Sequence, residues 1–73
     1  MGDSFYIERN KEMDKAIDLL VQKYDLSLRY QGRKEQIFSG EAMLISRQKG
    51  YVFLRLLSNC TALARDVIHT LQL

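Results

Sequence analysis

The stretch Glu41–Leu57, EAMLISRQKGYVFLRLL, constrains this chain more than any other, because it reads as a β-hairpin carrying two different apolar faces. With the turn at Gln48-Lys49-Gly50, Gly50 supplies the positive φ that ends a three-residue loop, and Arg47 pairs with Tyr51. Outward from the turn, Ser46 then faces Val52, Ile45 faces Phe53, Leu44 faces Leu54, Met43 faces Arg55 and Ala42 faces Leu56. Side chains alternate across a strand, so Ala42, Leu44, Val52, Leu54 and Leu56 share one purely aliphatic face. Met43, Ile45, Arg47, Tyr51, Phe53 and Arg55 share the other. That second face mixes large apolar groups with cations, which a face meant only for water does not need. The first face predicts a core and the second a binding surface.

The rest of the chain supplies partners for this hairpin. Asn10 suits a helix N-cap, and Glu12 and Asp14 suit the positive end of the helix dipole. Met13, Ile17, Leu20, Val21 and Tyr24 then fall on one stripe of an amphipathic helix ending near Tyr24. Lys11, Asp14, Lys15, Asp18, Gln22 and Lys23 make its solvated side. Leu26, Leu28 and Tyr30 alternate with Ser27, Arg29 and Gln31, the period of a strand. Gly32-Arg33-Lys34-Glu35 is a polar turn, after which Gln36–Ser46 reads as one long strand with Tyr30 opposite Phe38, Leu28 opposite Gly40 and Leu26 opposite Ala42. Gly40 inside that strand marks either a bulge or room for a helix side chain. Ser58 or Asn59 caps a second helix through Leu71, with Cys60, Leu63, Ala64, Val67, Ile68 and Leu71 as its apolar stripe. Residues 1–9, with Phe5, Tyr6 and Ile7, form an extended segment that packs against something: an edge strand, a helical turn or another chain. The predicted fold is α+β and two-layer: a three-stranded antiparallel sheet with two helices on one face (αβββα), leaving room for an extra short N-terminal strand.

Seventy-three residues make a single domain, and a chain this short buries only about 60% of the surface its unfolded form exposes. Small cores are often reinforced by disulfides, metals or partner chains. One cysteine cannot form an internal disulfide, which leaves oligomerisation as the expected reinforcement. No apolar run reaches membrane-spanning length and the N-terminus lacks a signal-peptide pattern, so the expected setting is intracellular and cytoplasmic, with no membrane partner. A net charge of +2 is too small to identify a nucleic-acid binder by itself.

The chemistry-bearing motifs are missing: no GxGxxG, P-loop, CxxC, HExxH or GxSxG occurs. His69 follows Asp66 by three residues on the solvated side of the second helix, an ordinary helix-surface pair rather than a catalytic dyad. Cys60, at the first turn of that helix, fits a reactive thiol or, more simply, a core side chain. One His and one Cys do not make a metal site. No catalytic residue, no metal, no cofactor, no small-molecule substrate and no enzymatic activity is therefore expected.

The predicted order of helix, three strands and helix is similar to that of double-stranded RNA-binding domains and of the Alu-binding proteins of the signal recognition particle. The final hairpin and helix also resemble the ending of kinase-associated domains. These resemblances are topological, and the first would imply RNA phosphate contacts. Ser58-Asn59-Cys60-Thr61-Ala62-Leu63 lacks the lysines that in double-stranded RNA-binding domains cluster where the last helix begins. No functional residue is carried over.

The mixed sheet face is the remaining functional signal. Arg29, Met43, Ile45, Arg47, Tyr51, Phe53 and Arg55 are the expected partner-binding residues, since Tyr, Phe, Met and Arg are the types enriched in protein interfaces. The expected function is a small protein–protein interaction module, a homodimer or an adaptor subunit, with Met43 and Ile45 favouring an apolar protein partner over bases. Arg33, Lys34 and Lys49 would join the same face in the alternative, binding of RNA or single-stranded DNA. A third possibility has Phe5, Tyr6 and Ile7 fold back and cover the face.

Overall fold

Seven elements follow one another: β1 (Ser4–Glu8), α1 (Lys11–Lys23), β2 (Ser27–Gln31), β3 (Gln36–Ser39), β4 (Met43–Arg47), β5 (Tyr51–Leu56) and α2 (Thr61–Leu71). The computed structural model describes residues 3–73; Met1 and Gly2, where the predicted extended segment begins, lie outside the described residues. The strands form one antiparallel sheet in the order β1-β5-β4-β3-β2. The protein is thus α+β, but with a five-stranded sheet in place of the predicted three strands. The αβββα order on which the topological resemblances rested goes with it.

Two local features account for the difference. Residues Ser4–Glu8 neither dangle nor fold over the sheet but extend it along β5, with Tyr6 opposite Phe53 and Ile7 opposite Val52. The stretch predicted as one long strand instead doubles back into β3 and β4, pairing Gln36 with Arg47 and Phe38 with Ile45. The Gly40 N–H donates to the Met43 carbonyl at 3.1 Å to close this reversal. A Cβ at Gly40 would stand 2.7 Å from Leu26 Cδ2, so any larger residue there would have to displace the Leu26 side chain. Pairing of β2 with β3 runs Leu28–Phe38 and Tyr30–Ile37, with an irregularity between Leu28 and Tyr30, rather than Tyr30–Phe38.

Asn10 caps α1 as its side chain suggests, Oδ1 accepting from the Met13 N–H at 2.8 Å. β1 and β2 run in the same direction at opposite edges, so α1 must traverse the sheet between them. Thirteen helical residues span about 20 Å, which matches four interstrand gaps of about 4.8 Å. The helix lays Ile17 and Leu20 on the sheet, and α2 adds Leu63, Val67 and Leu71. These meet Phe38, Met43, Ile45, Val52, Leu54 and Leu56 in one core on one face of the sheet. Cys60 occupies the cap position of α2 and is exposed, not buried in its stripe. No helix among the described residues is long and apolar enough to cross a membrane.

Candidate interaction surface

The outer face of the sheet is built by alternation. Strand β1 contributes Tyr6 and Glu8, β5 contributes Tyr51, Phe53 and Arg55, and Leu44 and Ile37 continue the face on β4 and β3. Neither helix lies on it. Tyr6 is 76% exposed and Tyr51 44%, and the Tyr6 ring centroid lies 4.9 Å from that of Phe53 and 6.0 Å from that of Tyr51. These separations fall in the range of tilted aromatic pairs, which are worth about 0.5–1.5 kcal/mol beyond area burial. The cluster is nevertheless left largely in water. Glu8 and Arg55 sit at opposite ends of it, each without an ion-pair partner among the described residues.

Of the residues predicted to form the binding face, Tyr51, Phe53 and Arg55 lie on this outer face, and Arg29 is exposed at the irregularity of β2. Met43, Ile45 and Arg47 do not share that face. Met43 and Ile45 are fully buried against the helices, and Arg47 is buried beside them. The cause is the turn. Gln48 N–H donates to the Tyr51 carbonyl at 2.8 Å, so the loop is the two residues Lys49-Gly50, and Gly50 has φ 86°. Arg47 therefore faces Val52 and Ile45 faces Leu54, one residue out of the predicted register. A shift of one flips every side chain of a strand to the other face. Leu44 and Ser46 take the outer positions instead. The Phe5-Tyr6-Ile7 alternation was the available signal for the missed Tyr6; nothing local indicated which strand it would join.

Arg47 is an inward cation whose donors are satisfied. Nε and Nη2 donate to Gln36 Oε1 at 3.0 and 2.6 Å, and Nη1 donates to Asp18 Oδ1 at 3.0 Å. The guanidinium carbon also lies 5.5 Å from the centroid of the Phe38 ring. This explains how a strand position facing the helices holds an arginine.

Arg33, Lys34 and Lys49, expected to join the mixed face, line a separate open cleft of about 500 Å³ at one end of the sheet. The two hairpin tips carry them. Gly32 N–H donates to the Glu35 carbonyl at 2.8 Å beneath Arg33-Lys34, and Arg9 N–H donates to the Gly50 carbonyl at 3.0 Å beside Lys49. Arg9 and Lys11, from the β1–α1 junction, complete the basic lining, and Asp14 and Glu35 are its carboxylates.

Elsewhere, Tyr24 of the α1 C-cap donates its hydroxyl to Asp66 of α2, and Lys23 Nζ lies 2.8 Å from the same carboxylate. Burial, and then the hydrogen bond to Asp66, push the Tyr24 hydroxyl up to about 12. Lys23 and then Tyr24 hold the Asp66 carboxyl below its ordinary value. That carboxylate is committed to joining the helices rather than orienting His69. Among the described residues, no three His, Cys, Asp or Glu side chains come together as a metal site requires. Compared with protein-family models, curated proteins and solved structures, the chain matches none.

Proposed function

We propose that this protein is a non-enzymatic interaction module that associates with a second copy of itself through the open face of its sheet. The observation that carries the reading is the Tyr6–Phe53–Tyr51 cluster on a face that no helix covers, flanked by unpaired charges of opposite sign. A two-fold axis lying across the strands through the Tyr6–Phe53 row would set the Glu8–Tyr51 row of one copy over the Ser4 and Arg55 row of the other. Glu8 and the Tyr51 ring would then meet Arg55 of the partner subunit twice, as an isologous interface requires. Edge-to-edge pairing through β2 is disfavoured by its irregularity and by Arg29.

Five strands of about five residues project roughly 400 Å² per copy. A standard interface contributes about 800 Å² a side, so the association is weak and depends on the aromatic centre. Light scattering after size exclusion, from low-micromolar to near-millimolar protein, tests this. The wild type is expected to shift from monomer towards dimer mass with concentration. Arg55→Glu and Glu8→Arg should each suppress the shift, and the double exchange should restore it. A mass that stays monomeric throughout, or a dimer indifferent to Phe53→Asp, would refute the reading.

A further inference from the structure

The cleft at the hairpin tips gathers the positive charge of the molecule. Five cations line it, Arg9, Lys11, Arg33, Lys34 and Lys49, against the two carboxylates Asp14 and Glu35, a local excess of three. The whole chain has a net charge of only +2, so everything outside the cleft carries a net −1. The carboxylates do not neutralise the cations evenly. Asp14 is taken by Arg9 at 2.8 Å, leaving Lys11, Arg33, Lys34 and Lys49 with no ion-pair partner among the described residues. Like charges gathered in one concavity repel one another, and a cleft lined by one sign concentrates ligands of the other.

The cations arrive from three separate loops around an open mouth: the β1–α1 junction, the β2–β3 tip and the β4–β5 tip. That arrangement suits successive charges along a chain better than a single anion. Tyr30 stands on the strand that feeds the β2–β3 tip, half-exposed, with its ring against Gly32 beside the lining residue Glu35: a Cβ at Gly32 would lie 3.0 Å from Tyr30 Cε2 and 3.1 Å from Glu35 Cγ. A cationic cleft with an exposed aromatic ring beside it is the chemistry that holds phosphates and stacks unpaired bases. We infer that the cleft binds the backbone of a single-stranded nucleic acid through Lys11, Arg33, Lys34 and Lys49, with a base stacking on Tyr30. The site is distinct from the Tyr6–Phe53 centre of the proposed self-interface and does not depend on it.

Fluorescence anisotropy of the full chain, at concentrations where it is monomeric, with a labelled single-stranded oligouridylate and the matching DNA strand would test the inference. Neutralising four phosphates of a single strand predicts a slope of about −3 for log affinity against log salt. Arg33→Glu and Lys49→Glu should each weaken binding at least tenfold and flatten that slope, whereas Arg65→Glu on α2 should change neither. Tyr30→Ala should weaken binding several-fold and leave the slope unchanged, because stacking releases no counterions. No anisotropy change at low salt would overturn the inference, as would equal binding by Arg33→Glu and Lys49→Glu. Polyglutamate competing as well as the oligonucleotide, with no dependence on Tyr30, would also overturn it and assign the cleft to acidic polypeptides.

Discussion

Arg47 of β4 and Asp18 of α1 meet at the sheet–helix boundary, guanidinium Nη1 lying 3.0 Å from the carboxylate Oδ1. The arginine is almost wholly buried while the aspartate is 66% exposed, so the two ends of this ion pair have different worth. Asp18→Ala leaves the guanidinium its two bonds to Gln36 and should cost at most about 1 kcal/mol. Arg47→Ala removes buried stem as well as hydrogen bonds and should cost about 2–3 kcal/mol. Arg47→Met keeps the volume without a charge to desolvate, and should be the milder change. Urea midpoints of the three variants check the order; equal losses for Asp18→Ala and Arg47→Ala would contradict it.

The register of the β4–β5 hairpin predicts opposite fates for neighbouring substitutions. Met43→Asp sets a carboxylate in the closed core and should cost more than about 4 kcal/mol, enough to unfold a domain of this size. Phe53→Asp, on the outer face, should stay folded. In a Cys60→Ser background, a cysteine replacing Leu44 should react readily with a thiol reagent and one replacing Ile45 should be protected. Reactivity in the reverse order would mean the three-residue loop.

Gly40 and Leu26 share one space. Gly40→Ala forces the Leu26 side chain aside and should cost about 1–3 kcal/mol. Leu26→Ala alone should cost about 2–4 kcal/mol for the cavity. In the double variant the new Cβ enters vacated space, so the combined loss should fall short of the sum. Strict additivity in denaturant titrations would show that the two side chains do not compete.

Burial of Tyr24 and its hydrogen bond to Asp66 make stability fall at alkaline pH. The hydroxyl ionises near 10 in the unfolded chain and at about 12 in the folded one, so the folded state holds the proton more tightly. Its contribution is complete below pH 10 and is lost as pH rises towards 12. Asp66 acts at the other end: its lowered value gives stability that is present above the usual carboxylate range and lost as pH falls through the folded value. Thermal melts of Tyr24→Phe against wild type should differ less at pH 11.5 than at pH 8. A constant difference would exclude the tyrosine as the source.

Much of the secondary structure was legible because it depends on local spacing. The cap at Asn10, the stripe of α1, and the alternation through β5 each reflect residues a few positions apart. The face assignment was not, because Gly50 fits a two-residue or a three-residue loop, and one residue decides which side of β4 enters the core. Arginine at position 47 favoured the wrong choice. Its burial makes sense only with Gln36 from β3 and Asp18 from α1 in place. Likewise Arg33, Lys34 and Lys49 could be named as cations from the sequence, but not as lining a cleft with Arg9 and Lys11, which come from the far side of the chain.

The sequence by itself determined where the helices form, that the chain is α+β, and that β5 alternates an apolar inner face with an outer one. Tertiary structure alone decided that Gly40 reverses the chain, that residues 4–8 complete the sheet at β5, and that Met43, Ile45 and Arg47 turn inward. The physical reason is that periodicity fixes which residues share a face but not which face is buried. That choice is made by the total apolar area that two helices and five strands can remove from water together.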